Sequence, residues 1–190
     1  MTSTRETDIP RPRVHVALLR GINVGGKNKL PMKDLRGLFE ELGCTDVVTY
    51  IQSGNVVYAA PAALAKRIPE AAAEAIAGEF GLAVPVVTRS AAELHRVAER
   101  NPFLDSGADP ATLHVAFLAG KPAARRMAAL DPGRSPPDEY LVQGSEIYLR
   151  CPNGVARSKL TNAYFDTALA TTSTARNWRT VLKLVELTSA

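Results

Sequence analysis

The hydrophobic pattern of this chain is a strand-like run followed by helical stripes, and the order appears twice. Residues 14–19 are apolar on both faces, with Val14, Val16 and Leu18 on one and Ala17 and Leu19 on the other. A strand of that kind needs two covers, its own helices and something beyond them. Met32, Leu35, Leu38, Phe39 and Leu42 then recur at helical spacing, and Gly43 stops the helix. Residues 47–51 and 56–58 read as strands joined through Ser53-Gly54-Asn55 in a hairpin. Residues 62–80 are Ala-rich and helical, and residues 84–88 are a further strand. The predicted order is βαββαβ.

The heptapeptide His15-Val16-Ala17-Leu18-Leu19-Arg20-Gly21 returns as His114-Val115-Ala116-Phe117-Leu118-Ala119-Gly120. The elements after it match in type: a strand over 112–119, a short helix over 123–130, and a hairpin of 139–142 and 147–150 around Gly144-Ser145. A helix over 158–170 follows, with Ser158 as N-cap, then a last helix over 174–187 in place of a fourth strand, or before one. The expected fold class is α+β, two ferredoxin-like halves from an internal duplication with an extra C-terminal helix. The expected division is a loose polar tail over 1–12, a first half over 13–90, a connecting helix and linker over 91–110, and a second half over 111–190.

Composition narrows the class. The chain has 190 residues, is 46% hydrophobic and 22% charged, and so falls in the globular range. Its net charge of +4 permits an anionic partner without demanding one. Basic residues gather from Arg150 onward, where Arg150, Arg157, Lys159, Arg176, Arg179 and Lys183 face only Asp166 and Glu186. Cys44 and Cys151 make neither a metal nor a disulfide framework and read as reduced and structural. No His, Cys or acid cluster has metal-ligand spacing, no cofactor fingerprint is present, and no apolar run reaches membrane length. The expected location is the cytoplasm. Nothing in the chain specifies an oligomeric state.

Candidate chemistry centres on Arg20-Gly21-Ile22-Asn23-Val24-Gly25-Gly26-Lys27-Asn28, a glycine-rich basic loop between a strand and a helix that begins near Pro31. Such loops turn backbone N–H groups outward toward anions. Residues 21–27 fit most of a P-loop, but Asn28 stands where Ser or Thr must hold Mg²⁺, and no later strand ends in a metal-holding acid. Nor do the glycines fit the spacing of a dinucleotide site. In a βαββαβ unit the first and second strands end on the same sheet edge. The topology therefore brings Arg20, Asn23, Gly25, Gly26, Lys27 and Asn28 beside Gln52, Ser53 and Asn55, a set that suits an anion. Arg176 and Asn177, expected in the first turn of the last helix, form a second candidate, and Lys159 beside Ser158 a third. On that helix, Trp178, Val181, Leu182 and Val185 form the expected core stripe.

The loop, the following Pro31-Met32 with Leu35, and Ile51-Gln52-Ser53-Gly54-Asn55 resemble the bacterial family called domain of unknown function 1697. So do Asn101-Pro102-Phe103, Ser158-Lys159-Leu160-Thr161 and Thr174-Ala175-Arg176-Asn177-Trp178-Arg179-Thr180. The resemblance runs from about Val14 to Leu187. It implies two ferredoxin-like halves and no established activity. The reading favoured by the residues is a protein that binds a phosphorylated small molecule or a nucleic-acid backbone. The alternatives are an enzyme acting on a small phosphorylated or carboxylated substrate, for which no acid, base or nucleophile stands out, and a protein-interaction module.

Overall fold

The computed structural model describes residues 12–189, so the expected tail lies outside the described residues except for Pro12. The first half runs β1 (Arg13–Leu19), α1 (Met32–Glu41), β2 (Thr45–Tyr50), β3 (Asn55–Ala60), α2 (Ala62–Phe80) and β4 (Val86–Ser90), followed by α3 (Ala91–Glu99) and α4 (Pro102–Asp105). The second runs β5 (Leu113–Leu118), α5 (Ala124–Ala128), β6 (Glu139–Gln143), β7 (Glu146–Arg150), α6 (Asn162–Leu169) and β8 (Ser173–Asn177), followed by α7 (Trp178–Thr188). The sheets have the orders β2-β3-β1-β4 and β6-β7-β5-β8, with antiparallel neighbours throughout. This is the ferredoxin-like topology, present twice. The repeat is exact in register: Val16 lies opposite Arg89 and Val115 opposite Arg176.

Two sequence expectations change in the second half. Residues 174–177 belong to β8, not to the last helix, because β5 has a free flank whose backbone groups β8 pairs. Asn177 then caps α7, its side chain accepting from Thr180 N–H at 2.8 Å. The buried stripe of α7 is accordingly Trp178, Val181, Leu184 and Thr188, and Leu182 is exposed. The helix expected from residue 158 is shorter as well. Ser158 is extended, after a 3₁₀ turn at Val155–Arg157, and α6 begins after Thr161, whose hydroxyl accepts from Tyr164 N–H.

Helices α1 and α2 cover one face of the first sheet, through Leu35, Phe39, Ile68 and Ile76 against Ala17 and Leu19. Phe165 and Leu169 of α6 cover the outer face of the second sheet, against Ala116 and Leu118. The remaining two faces look toward each other. Val16, Leu18 and Val57 of the first half share one core with Val115, Phe117 and Tyr148 of the second, and Leu94, Val97, Trp178, Val181 and Leu184 of α3 and α7 fill it. The second cover that β1 requires is therefore the other half of the chain. Both cysteines are free and buried, and burial pushes each thiol up to about 11. No helix among the described residues is long and apolar enough to cross a membrane.

Candidate functional site

The glycine loop and the β2–β3 hairpin do meet. Asn23 donates from Nδ2 to the Gln52 carbonyl at 2.9 Å and to the Leu30 carbonyl at 2.9 Å, and its Oδ1 accepts from Leu30 N–H. Asn28 donates to the Gly21 carbonyl, and Lys27 N–H to the Val24 carbonyl, closing a tight turn in which Gly25 and Gly26 have φ of 57° and 76°. Gly54 sits under this loop with φ of 77°, where a Cβ would lie 2.7 Å from the Leu19 side chain. The amides of Asn23 and Asn28 thus build the loop. Lys27 is exposed and makes no ion pair among the described residues.

Arg20 crosses to the second half, where it pairs with Asp166 and donates to the Ser173 carbonyl. Arg176 crosses in the opposite direction. It stands in a strand, not in a helical turn, and is only 8% exposed. Its Nε donates to Asn55 Oδ1, and its Nη2 to the carbonyls of Leu19, Ser53 and Gly54. Burial lowers its pKa to about 10, so it keeps its charge at neutral pH. Asn55 donates in turn to the Tyr50 carbonyl and the Ser53 hydroxyl. Arg20, Ser53, Asn55 and Arg176 are therefore together at the junction, bound to one another or to the backbone. Asn177 is committed to its cap, and Lys159 is exposed, its N–H donating to the Ser135 hydroxyl.

The repeat places a second such arginine at Arg89, 7% exposed. Its Nε donates to Glu146 Oε1 at 2.8 Å and its Nη2 to the carbonyls of Leu118 and Ser145, the repeat equivalents of Asn55, Leu19 and Gly54. Each half thus holds the other's first strand and hairpin with the arginine of its fourth strand.

Around Arg89 the junction opens into a cleft of about 630 Å³. Its first wall is the start of β1 and of α2, with Arg13, His15, Ala62 and Lys66; its second is α3 with its C-cap, Glu93, Arg96, Val97 and then Arg100; its third is the β6–β7 turn and the start of β7, with Gly144, Ser145 and Glu146. α2 contributes an N-terminus with no side-chain cap. Both acids are engaged inside the protein. Glu93 closes a capping box with Ser90, accepting from its N–H and hydroxyl, and Glu146 pairs with Arg89. Burial alone would raise the Glu93 pKa, but the two Ser90 hydrogen bonds, then Arg89 and Arg96, hold it below the ordinary value. By contrast, Arg13, Lys66, Arg96 and Arg100 make no ion pair among the described residues. His15 stacks on Tyr58, and burial lowers its pKa, with Glu93 opposing and Arg13 adding to the effect.

None of the cleft's charged residues stands out in the sequence, because each sits singly in or beside an ordinary strand or helix. A signal does exist: Thr88-Arg89-Ser90 and Ala175-Arg176-Asn177 are each an arginine followed by a cap at a matched repeat position. Among the described residues no group of three His, Cys, Asp or Glu is placed to hold a metal.

A search of curated proteins matches none. Among solved structures, the chain is similar to a conserved bacterial protein, SP0830 from Streptococcus pneumoniae, at 22% identity and a TM-score of 0.68. The match covers 93% of this chain and 99% of that one, and it carries the fold. Residues 13–148, all of the first repeat and the second as far as β7, match the model of a family described as a protein of unknown function, DUF1697, and the chain belongs to that family.

Proposed function

We propose that this protein binds a small anionic ligand, bearing phosphate or carboxylate, in the cleft between its two halves. The observation that supports this is an imbalance of charge. Four cations, Arg13, Lys66, Arg96 and Arg100, line one cavity without ion-pair partners among the described residues, while its two carboxylates are already committed. Cations left unpaired around a concavity attract counter-ions more strongly than the same charges on a convex surface, because the walls exclude water. The volume lies within the ~300–1,000 Å³ typical of small-molecule sites. Free N–H groups at the start of α2 add to the positive potential. The loop offers Lys27 and the adjacent Lys29, both exposed, with the Asn23 and Asn28 amides already hydrogen-bonded, against four cations in the cleft. That favours the cleft as the site of the anion.

The test is calorimetry and thermal shift with inorganic phosphate, pyrophosphate, nucleotides, sugar phosphates, dicarboxylates and short oligonucleotides, at low and high salt. A ligand that binds only the folded state raises Tm. Lys66→Ala and Arg96→Ala should each weaken binding about tenfold, the loss of one charge-assisted hydrogen bond, and Lys27→Ala should leave it unchanged. Binding lost in Lys27→Ala and kept in the cleft variants would move the site to the loop. A shift with oligonucleotides alone, abolished by salt, would replace a small ligand with a nucleic-acid backbone. No shift with any anion would overturn the reading.

A further inference from the structure

The four cleft cations fall into two groups, set apart by the fold. Arg13 opens β1 opposite Ala60, the last residue of β3, and α2 begins two residues later, so Arg13 and Lys66 share one end of the cleft. Ser90 lies opposite His15, and α3 starts there and runs away from that end. Along α3 the cleft-lining residues come in the order Glu93, Arg96, Val97 and Arg100. At ~1.5 Å rise per residue, Arg96 is roughly 9 Å and Arg100 on the order of 15 Å from the start of α3. Arg100 also acts on Tyr148 of the second half: burial and Glu146 raise the Tyr148 hydroxyl to about 12, and Arg100 opposes them. Tyr148 itself donates to the Val97 carbonyl, which ties the far end of the cleft to β7.

The charge along the cleft therefore alternates. Two cations stand at the β1–α2 end, the Glu93 carboxylate follows, and two cations stand toward the second half. An anion in the middle would face Glu93, whereas an anion at either end faces two positive charges. A single phosphate or carboxylate seated at one end, within the ~4 Å reach of an ion pair, leaves the cations of the other end without a partner.

Resting on the reading of the cleft as an anion site, we infer that its ligand carries two anionic groups, one for Arg13 and Lys66 and one for Arg96 and Arg100, separated by roughly 10 Å of helix rise. The ligand class is a bisphosphate or an extended dicarboxylate. Thr88, Val97 and residues 143–145 also line the cleft, so the ligand body meets both polar and apolar surface. The repeat accounts for a single such site per chain. At the other junction Thr112 and Leu187 take the places of Arg13 and Arg100, and the Arg96 equivalent, Lys183, pairs with Glu186.

The experiment is titration calorimetry with α,ω-alkane bisphosphonates of increasing chain length, each against the alkyl monophosphonate of equal length. The expected result is an optimum length at which the bisphosphonate binds about 100-fold tighter than its single-headed partner, as two linked contacts require. Lys66→Ala and Arg100→Ala should each weaken the bisphosphonate about tenfold, the loss of one cation of a pair, with Tm in the absence of ligand unchanged because both side chains are exposed. A bisphosphonate advantage of only the roughly twofold statistical gain, at every length, overturns this inference and leaves the anion-site reading standing. Failure of every phosphonate and of the wider anion panel overturns both.

Discussion

Arg89 and Arg176 are charged side chains in the interior, and each is kept there by hydrogen bonds from one half of the chain to carbonyls of the other. Burying a guanidinium is costly unless its donors are satisfied, and removing it afterwards leaves the acceptors exposed to that same cost. Arg176→Met should therefore lower stability by about 3 kcal/mol, as seen for broken buried networks. Urea unfolding checks this, and Lys27→Ala should fall within about 0.5 kcal/mol of the parent, as for an ordinary surface change. An Arg176 variant of parental stability would mean that the buried arginine holds nothing. The two arginines differ in one respect: Arg176 meets the neutral Asn55, and Arg89 meets the carboxylate of Glu146. The acid quenches Arg89, so the positive potential of the cleft comes from the exposed cations.

Among the elements, the fourth strands decide the architecture. β4 and β8 each end in a capping residue, Ser90 or Asn177, from which a helix turns back into the space between the sheets. Those two helices fill the shared core, and α3 also presents Arg96 and Arg100 to the cleft. One element thus supplies packing from one face and charge from another. Asn177→Ala removes the acceptor for Thr180 N–H and should cost about 1 kcal/mol, the usual value of an N-cap. Thr161→Ala should cost a similar amount at α6. Ser158→Ala should cost less, since Ser158 is itself extended and its hydroxyl accepts from Leu160 N–H ahead of α6 and does not cap that helix. Denaturant melts of the three variants separate these positions. How much of this was legible in the sequence varies by element. The hydrophobic period located α1, α2 and the hairpins, but it placed residues 174–177 in a helix, because a run of Ser, Thr, Ala and Arg has no decisive period of its own. The vacant flank of β5, more than fifty residues upstream, drew it into a strand.

For the whole molecule, the two sheets and their inner helices make one core, and titratable groups lie at its edges. Burial lowers the pKa of both His15 and His114. Each is therefore below its ordinary value of 6.5 in the folded chain and near that value when unfolded. The unfolded state binds more protons in this window, so their contribution is present above about pH 6.5 and lost as the pH falls through the folded values. Tm should drop between pH 7 and pH 5, and a His15→Phe/His114→Phe double variant should flatten that slope. A slope unchanged in the double variant would place the linkage elsewhere.

The amino-acid sequence by itself determined the duplication, the element order of the first half, the need of β1 for a second cover, and the meeting of the glycine loop with the hairpin. These follow from local periodicity, turn chemistry and the fixed topology of a βαββαβ unit. Only the tertiary structure decided which charges are spent and which are free. Arg176 looked available beside Asn177 because its acceptor Asn55 lies 121 residues away, and Arg89 was inconspicuous because Glu146 is 57 residues away. Arg13, Lys66, Arg96 and Arg100 come from three separate elements and become a set only when β1, α2 and α3 converge on one cleft. A pattern along the chain records neighbours within a turn or a strand. Whether an ion pair forms depends on distances through space, and the packing of the two halves sets those.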